Sequence, residues 1–342
     1  MQLDSLNIIA AHWKFRAAVA GCVGLLVFWP MVSRVVPLSV PLMCEILIFG
    51  LFAMGFNIAL GYTGVMSLGH AAFFGVGAYT TGICLKLYGW PLEVSMLAGV
   101  TAAVLAGMLV AILAFQATGA YRLIITLAMS MVFYYISQVW VSLTGGHDGL
   151  TGIPTLKLTL GVTLTNNLIN KYYFILAIFL ICIYLLWRLV NSPFGKAMVA
   201  VRENEQRSQT CGYNTYWIMW WSFVISALFS GVAGALFLVF LEFCDVYILY
   251  WLMSGTVLVI TLFGGTRVFL GPFVGALVFT LMRDNLSLYI EHWEVFTGLF
   301  FVAIVLFLPK GILGSLMDKL RPKASRPAAD PATSITEEQV QR

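Results

Sequence analysis

Runs of apolar residues separated by short polar breaks fill the chain from residue 17 to residue 309. A helix needs roughly 20 apolar residues to cross about 30 Å of hydrocarbon. Stretches 17–37, 40–60, 67–86, 91–115, 122–143, 171–190, 216–241, 268–289 and 293–309 meet that length. A shorter stretch, 250–264, reads as a tenth span or a re-entrant piece. Backbone groups in lipid have to be satisfied within their own segment, so all of these are expected to be helices. The pattern predicts an all-α fold, a polytopic transmembrane bundle of about ten spans.

Composition agrees. Of the 342 residues, 61% are hydrophobic and 10% charged, against about 25% charged in an ordinary soluble domain. Mean hydropathy is +0.92. A water-soluble core of this length could not hide that much apolar surface. The 31 glycines fit as well, since Gly is more frequent in membrane helices than in soluble ones.

Charge orients the bundle. Ten alternating spans starting from an inside N-terminus put 144–170 outside and 191–215 inside. The inside then carries Lys14, Arg16, Arg122, Arg188, Lys196, Arg202, Arg207, Arg267 and the tail cations Lys310, Lys319, Arg321, Lys323 and Arg326. The outside keeps Arg34, Lys86, Lys157, Lys171 and Arg283. Excess Lys and Arg on the cytoplasmic side is the expected bias, so both termini are read as cytoplasmic. Residues 1–16 form the cytoplasmic N-terminus, 17–315 one transmembrane domain with the polar loop 191–215, and 316–342 a disordered cytoplasmic tail. The run from Ala17 reads as an uncleaved first span, because further spans follow at once. Nucleic-acid binding is excluded, since basic groove readers do not sit inside so apolar a chain.

Catalytic chemistry is missing. The Gly195-Lys196 pair has neither the upstream Gly nor the downstream hydroxyl of a phosphate-binding loop. His12, His70, His147 and His292 are scattered, with no pair at zinc spacing. No Cys-x-x-Cys pair occurs, and Cys22, Cys44, Cys84, Cys182 and Cys244 lie in or beside apolar stretches, as packing thiols do. The chain is therefore expected to be no enzyme and to hold no metal or cofactor. Ion-driven transport usually needs several ionisable residues within the spans. Only Glu45 looks deep within one; near the span end, it reads first as an interfacial residue or one bonded to a neighbour. The chain looks like a solute pathway powered from elsewhere, rather than a self-sufficient secondary transporter.

Three regions stand out. Gly61 to Gly82 reads GYTGVMSLGHAAFFGVGAYTTG. Such small residues suit a close helix seam or a broken helix lining a cavity, and the sequence leaves both open. The pathway candidates are Gly61, Gly64, Ser67, Gly69, His70, Gly75, Gly77 and Tyr79; His70, alone among them, reads first as a hydrogen-bonding core residue. In the polar loop, Met198, Val201 and Arg202 share one face of a short helix. That helix could lay its apolar side into a partner's groove, or be a solvated loop. Gly271 with Gly275, and the ridge Ala227, Gly231, Ala235, are helix-packing devices.

Five segments carry a resemblance. They are Gly61-Tyr62-Thr63-Gly64 with Ser67 to Gly75; Thr126-Leu127-Ala128 before Thr144 to Gly152; Ser192 to Ala197 leading into Val201 to Glu205 and Gly212; Gly264-Gly265 with Gly271-Pro272 and Gly275-Ala276; and Phe307 to Gly311. In order and at matching intervals, they resemble the branched-chain amino acid ABC permease family, in particular its LivM branch. The resemblance implies that the loop is a coupling helix docking on an ATPase, with Gly195, Lys196, Met198, Val201, Arg202, Glu203, Glu205 and Gly212 as its residues. It implies a sister permease subunit (LivH-like), two cytoplasmic ATPases that bind ATP and Mg, a periplasmic solute-binding protein, and a place in the bacterial inner membrane. Branched-chain or related amino acids are the implied cargo; similar branches carry urea, short amides or aromatic carboxylates. The loop Thr144 to Gly152 would face outside, as a connector or a receiver of the binding protein. Tyr121-Arg122 and Thr266-Arg267 depart from the family pattern by adding cationic bulk.

Overall fold

The computed structural model describes residue 21, residues 24–32 and residues 39–320 apart from 155, 158–162, 165–166, 267, 290–291 and 309–310. The expected cytoplasmic N-terminus, most of the first span, Cys22, Arg34, Arg267, Pro309, Lys310 and the tail beyond residue 320 lie outside the described residues.

Twelve helices of six residues or more follow one another along the described chain, besides the single turns Trp29–Val32 and Val141–Thr144. They are α1 (Val40–Asn57, extended by one π turn Ile58–Tyr62), α2 (His70–Tyr88), α3 (Leu92–Ala114), α4 (Ala120–Val139), α5 (Leu168–Val190), α6 (Pro193–Glu203), α7 (Glu205–Thr210), α8 (Thr215–Leu241), α9 (Trp251–Gly264), α10 (Gly271–Tyr289), α11 (Trp293–Phe307) and α12 (Gly311–Leu320). Among the described residues there is no strand, only the isolated bridges Leu150–Cys244 and Lys157–Thr163. Among the described residues, five helices are long and apolar enough to cross a membrane: α1 with its π turn, α3, α4, α5 and α8. α9, at 14 residues, is too short to do so by itself. α12 runs to Leu320, into the stretch expected as tail.

Burial sorts the helices into layers. The apolar window of α1 is 94% buried and that of α8 67%, whereas α4 and α5 reach only 22% and 28%. A helix apolar on every side and covered on every side belongs at the centre; one apolar but uncovered faces lipid. α1, α2 and α8 form the centre, where Phe52 and Phe74 lie 4.7 Å apart and Phe74 and Phe237 5.4 Å apart.

Small residues set the spacing. A Cβ added to Gly77 would lie 2.5 Å from the Gly231 carbonyl oxygen and 2.8 Å from its Cα. One added to Gly107 would lie 2.5 Å from the Ala227 Cβ. The expected ridge thus packs inside the chain, and Gly275 similarly takes the backbone of Ile260 and Gly264. Gly77→Val is expected to lower the melting temperature sharply, since backbone cannot retreat and overpacking costs roughly 1–3 kcal/mol or more. Gly255→Ala, where nothing lies within 4 Å, is the control that should leave it unchanged. Equal melting temperatures in detergent would refute this packing.

Two ends of the bundle can be told apart. At one, α6 meets Gly61 and Arg122 reaches Met219. At the other, Leu92 N–H bonds the Lys157 carbonyl, Leu150 pairs with Cys244, and Lys171 meets Glu242.

Candidate functional site

The loop after α5 is built by three caps. Ser192 Oγ accepts from Gly195 N–H at 3.2 Å and starts α6, with Pro193 in the first turn. Asn204 Oδ1 accepts from Arg207 N–H at 2.9 Å and starts α7. Asn214 Oδ1 accepts from Trp217 N–H at 3.3 Å and starts α8. Side-chain caps of this kind satisfy N–H groups that a helix start leaves open. Gly212 turns the chain with φ +87°, a conformation Gly adopts without strain. Gly195 lies against the carbonyls of Val190 and Leu189, where a side chain would collide.

The sidedness of α6 corrects one expectation. Met198 is fully buried and Val201 4% exposed, within the same apolar core as Leu186 and Met219. This apolar face is used inside the chain and cannot enter a partner's groove. Pro193, Lys196, Val199 and Glu203 point outward instead, followed on α7 by Glu205, Gln206 and Arg207. The outer side also holds a hollow of about 140 Å³ lined by Glu203, Asn204, Arg207, Cys211 and Tyr213.

Arg202 joins this loop to the Gly-rich segment. Its Nη1 donates to the Gly61 carbonyl, in the π turn that ends α1. Gly64, at φ +77°, presses on the same side chain, and a Cβ there would lie 3.3 Å from Arg202 Cγ. Gly61, Tyr62, Val199, Arg202, Glu203 and Thr266 surround a cavity of about 530 Å³. Beside Gly61, the Asn57 side-chain oxygen is buried with no hydrogen-bond partner among the described residues. π turns recur at functional sites.

Between Tyr62 and His70 the backbone leaves helical geometry. Hydroxyls take over its pairing. Thr63 Oγ1 lies 2.8 Å from both the Ile58 carbonyl and Ser222 Oγ. Leu68 N–H donates to Thr126 Oγ1 at 3.2 Å, Gly69 N–H to Ser67 Oγ at 3.1 Å, and Ala71 N–H to Ser254 Oγ at 2.7 Å. A non-helical connection between spans is tolerated where such groups re-satisfy it. His70 is fully buried, with Nδ1 3.1 Å from Ser67 Oγ and Nε2 2.8 Å from Ser226 Oγ. Phe56, Phe73 and Phe223 meet its ring edge-on at 4.7–5.3 Å. It is a hydrogen-bonded core residue, as its isolation in the sequence suggested.

The pathway candidates therefore divide. Gly61 and Gly64 meet α6; Ser67, Gly69 and His70 hold the break; Gly75 and Gly77 are packing positions against Leu249 and Gly231. Tyr79 reaches the other end, where its hydroxyl donates to the Cys244 carbonyl at 3.2 Å. A second break lies there, from Glu242 to Tyr250, with the 3-10 turn Val246–Leu249 inside it. The loop Thr144 to Gly152 closes on this break. Leu150 N–H donates to the Cys244 carbonyl at 2.9 Å, and Gly145, Gly146, Gly149 and Gly152 all take positive φ.

Sequence reasoning missed the polar contacts between distant helices. Glu45 Oε1 pairs with Arg283 Nη2 at 2.5 Å, and Lys171 Nζ with Glu242 Oε1 at 2.8 Å. The serines were legible in part: Ser222 and Ser226, which meet Thr63 and His70, recur with Ser230 every four residues on one face of α8. Arg122, read as added cationic bulk, has its guanidinium 4.6 Å above the Phe115 ring.

A family of known sequences matches. Residues 39–308 fit the family described as branched-chain amino acid transport system / permease component. The chain is 26% identical over 329 residues to the high-affinity branched-chain amino acid transport system permease protein LivM of Salmonella typhimurium, covering 90% of this chain and 76% of that one. It is 26% identical over 322 residues to the LivM protein of Escherichia coli K12, covering 87% and 75%. A probable branched-chain amino acid transport permease protein LivH of Methanocaldococcus jannaschii is 23% identical over 292 residues, covering 79% and 90%. No solved structure matches.

Proposed function

The chain belongs to the family of branched-chain amino acid transport permease components, and from that premise we propose that it is a membrane subunit of an ATP-driven importer. It is a non-catalytic part, and its cargo is a branched-chain or related amino acid; the names of its LivM and LivH relatives support that choice. Its partners are a LivH-like sister permease, two cytoplasmic ATPases that hold ATP and Mg, and a periplasmic binding protein. The home of the complex is the bacterial inner membrane.

The end that carries α6 faces the cytoplasm. Arg122, Arg188, Lys196, Arg202 and Arg207 all belong to that end, in line with the positive-inside bias. Ten crossings follow if 242–264 counts as one: the second break enters from the outer side, and α9 completes the passage. Both termini are then cytoplasmic.

One observation carries the mechanism: the Arg202 guanidinium holds the Gly61 carbonyl at the start of the first break. ATPases docked on the outward face of α6, around Lys196, Val199 and Glu203, would push a helix whose inner face is locked into the chain by Met198 and Val201. A rigid α6 passes that movement through Arg202 to the π turn and the break. The break then repacks against the serines of α8, and access to the path alternates. ATP hydrolysis supplies the energy, and differential contacts of the docked ATPases with the two states turn it into a shift between them.

Reconstitution tests the reading. In proteoliposomes, leucine uptake is expected only from the complete complex, with loaded binding protein outside and ATP within. Leucine or any solute crossing vesicles that hold this chain by itself, without nucleotide, would overturn it. If the complete complex instead moves urea, a short amide or an aromatic carboxylate in place of leucine, the importer stands and the cargo assignment falls.

A further inference from the structure

We propose that the second break, between α8 and α9, holds a recognition site for the ammonium group of the solute, built from the Asp245 carboxylate and the tyrosines around it. The proposal rests on the permease reading and adds to it a place and a chemistry.

Asp245 sits between buried Cys244 and buried Val246 and is itself half-buried. One of its oxygens accepts from Tyr247 N–H at 3.3 Å, and among the described residues no cation pairs with it. A half-buried acid without a cation, on the outer side between two spans, is free to take up a cation from solution. A capping role does not explain the charge, since Asn caps as well as Asp.

The surroundings fit an amine. The Tyr134 ring lies 5.4 Å from Tyr135, 6.4 Å from Tyr247 and 5.1 Å from Tyr250. Trp251 adds a fourth neighbour, 5.9 Å from Tyr250. Asp245 reaches this cluster through Tyr247, whose N–H donates to it and whose ring neighbours Tyr134. Gln138 Nε2 fixes the Tyr134 hydroxyl at 2.7 Å. Tyr135 and Tyr247 are 59% and 60% exposed, so the cluster is not closed into the core. Beside it, Tyr135, Ile136, Val139 and Trp140 line a groove of about 490 Å³.

Aromatic faces attract ammonium groups and also accept aliphatic chains. A carboxylate beside them adds charge-assisted hydrogen bonds to the same cation. The combination suits a molecule with an ammonium head and an apolar tail. The site lies at the end opposite α6, where a solute released by an outer binding protein would arrive first. Tyr79, bonded to the Cys244 carbonyl, ties it to α2 and so to the first break.

Asp245→Asn in the complete complex tests the site, because Asn keeps the cap and removes only the charge. Leucine uptake from saturating loaded binding protein is expected to fall about tenfold, the loss of one charge-assisted contact. Asp245→Glu should recover most of it, and both variants should co-purify with the ATPases. Tyr250→Ala should lower uptake further in the wild-type background than in Asp245→Asn, since the two groups act on one ammonium. Wild-type uptake by Asp245→Asn would overturn the site and leave the importer reading intact. Absence of leucine uptake by the wild-type complex would overturn the cargo assignment, and the site with it.

Discussion

Arg202→Ala is expected to separate ATP hydrolysis from transport. The wild-type guanidinium is a charged donor to the Gly61 carbonyl, and a charged hydrogen bond of this kind contributes about 1.5–3 kcal/mol. That range corresponds to roughly a ten- to hundredfold change in any equilibrium the contact biases. Removing it leaves the carbonyl of a π turn without its donor and leaves Gly64 without the side chain it presses on. The inner face of α6 keeps Met198 and Val201 in place, so the helix should stay folded and docked. What is lost is the link from a moving α6 to the break. Solute moved per ATP hydrolysed should therefore drop about tenfold or more while ATPases still bind. Arg202→Lys keeps the charge but not the planar fork, and should recover only part of the ratio. A variant Arg202→Ala with the wild-type ratio of solute to ATP would sink the proposed transmission route.

The second large effect concerns folding. Glu45 and Arg283 join α1 to α10 at 2.5 Å, with side chains 19% and 28% exposed. Removing one partner of a largely buried pair leaves the other charge uncompensated, which costs about 3 kcal/mol or more in a fully buried site. Partial exposure lowers that figure, while an apolar membrane environment leaves the survivor few other partners. Arg283→Ala is expected to lower the melting temperature in detergent by several degrees, and Glu45→Gln to do the same. The double variant Glu45→Gln with Arg283→Gln should be milder than either loss added to the other, because no orphan charge remains. A double-mutant cycle measures this coupling directly. Strictly additive losses would show that the pair contributes no coupling and that the two helices are held by apolar packing.

How much of this could be read from residues depends on distance along the chain. The caps Ser192, Asn204 and Asn214 are local signals, and they mark the starts of α6, α7 and α8. The glycines of 61–77 signalled a broken helix or a seam; the structure shows the seam at Gly75 and Gly77, while 63–69 is the connection from α1 to α2. Span 67–86 was expected to be continuous, but helix begins at His70, because Thr126 and Ser67 take up the N–H groups of Leu68 and Gly69. Met198 and Val201 announced an apolar face without saying what covers it. Periodicity reports that a face is apolar; only packing reports its partner. Glu45 announced a neighbour, and that neighbour stands 238 residues away. Asp245 gave no signal, since one acid between two spans resembles any connector.

By itself the sequence determined the all-helical class, the family and the polar loop that interrupts the spans, because each follows from hydrophobic length, local caps and motif order. Tertiary structure alone decided which face of α6 turns outward, that Arg202 grips the end of α1, and that Asp245 stands among tyrosines from α4 and the second break. The reason is physical. Burial in lipid constrains every residue of a span alike, so hydropathy records that a helix is there, whereas polar contacts inside the membrane join residues that only folding brings together.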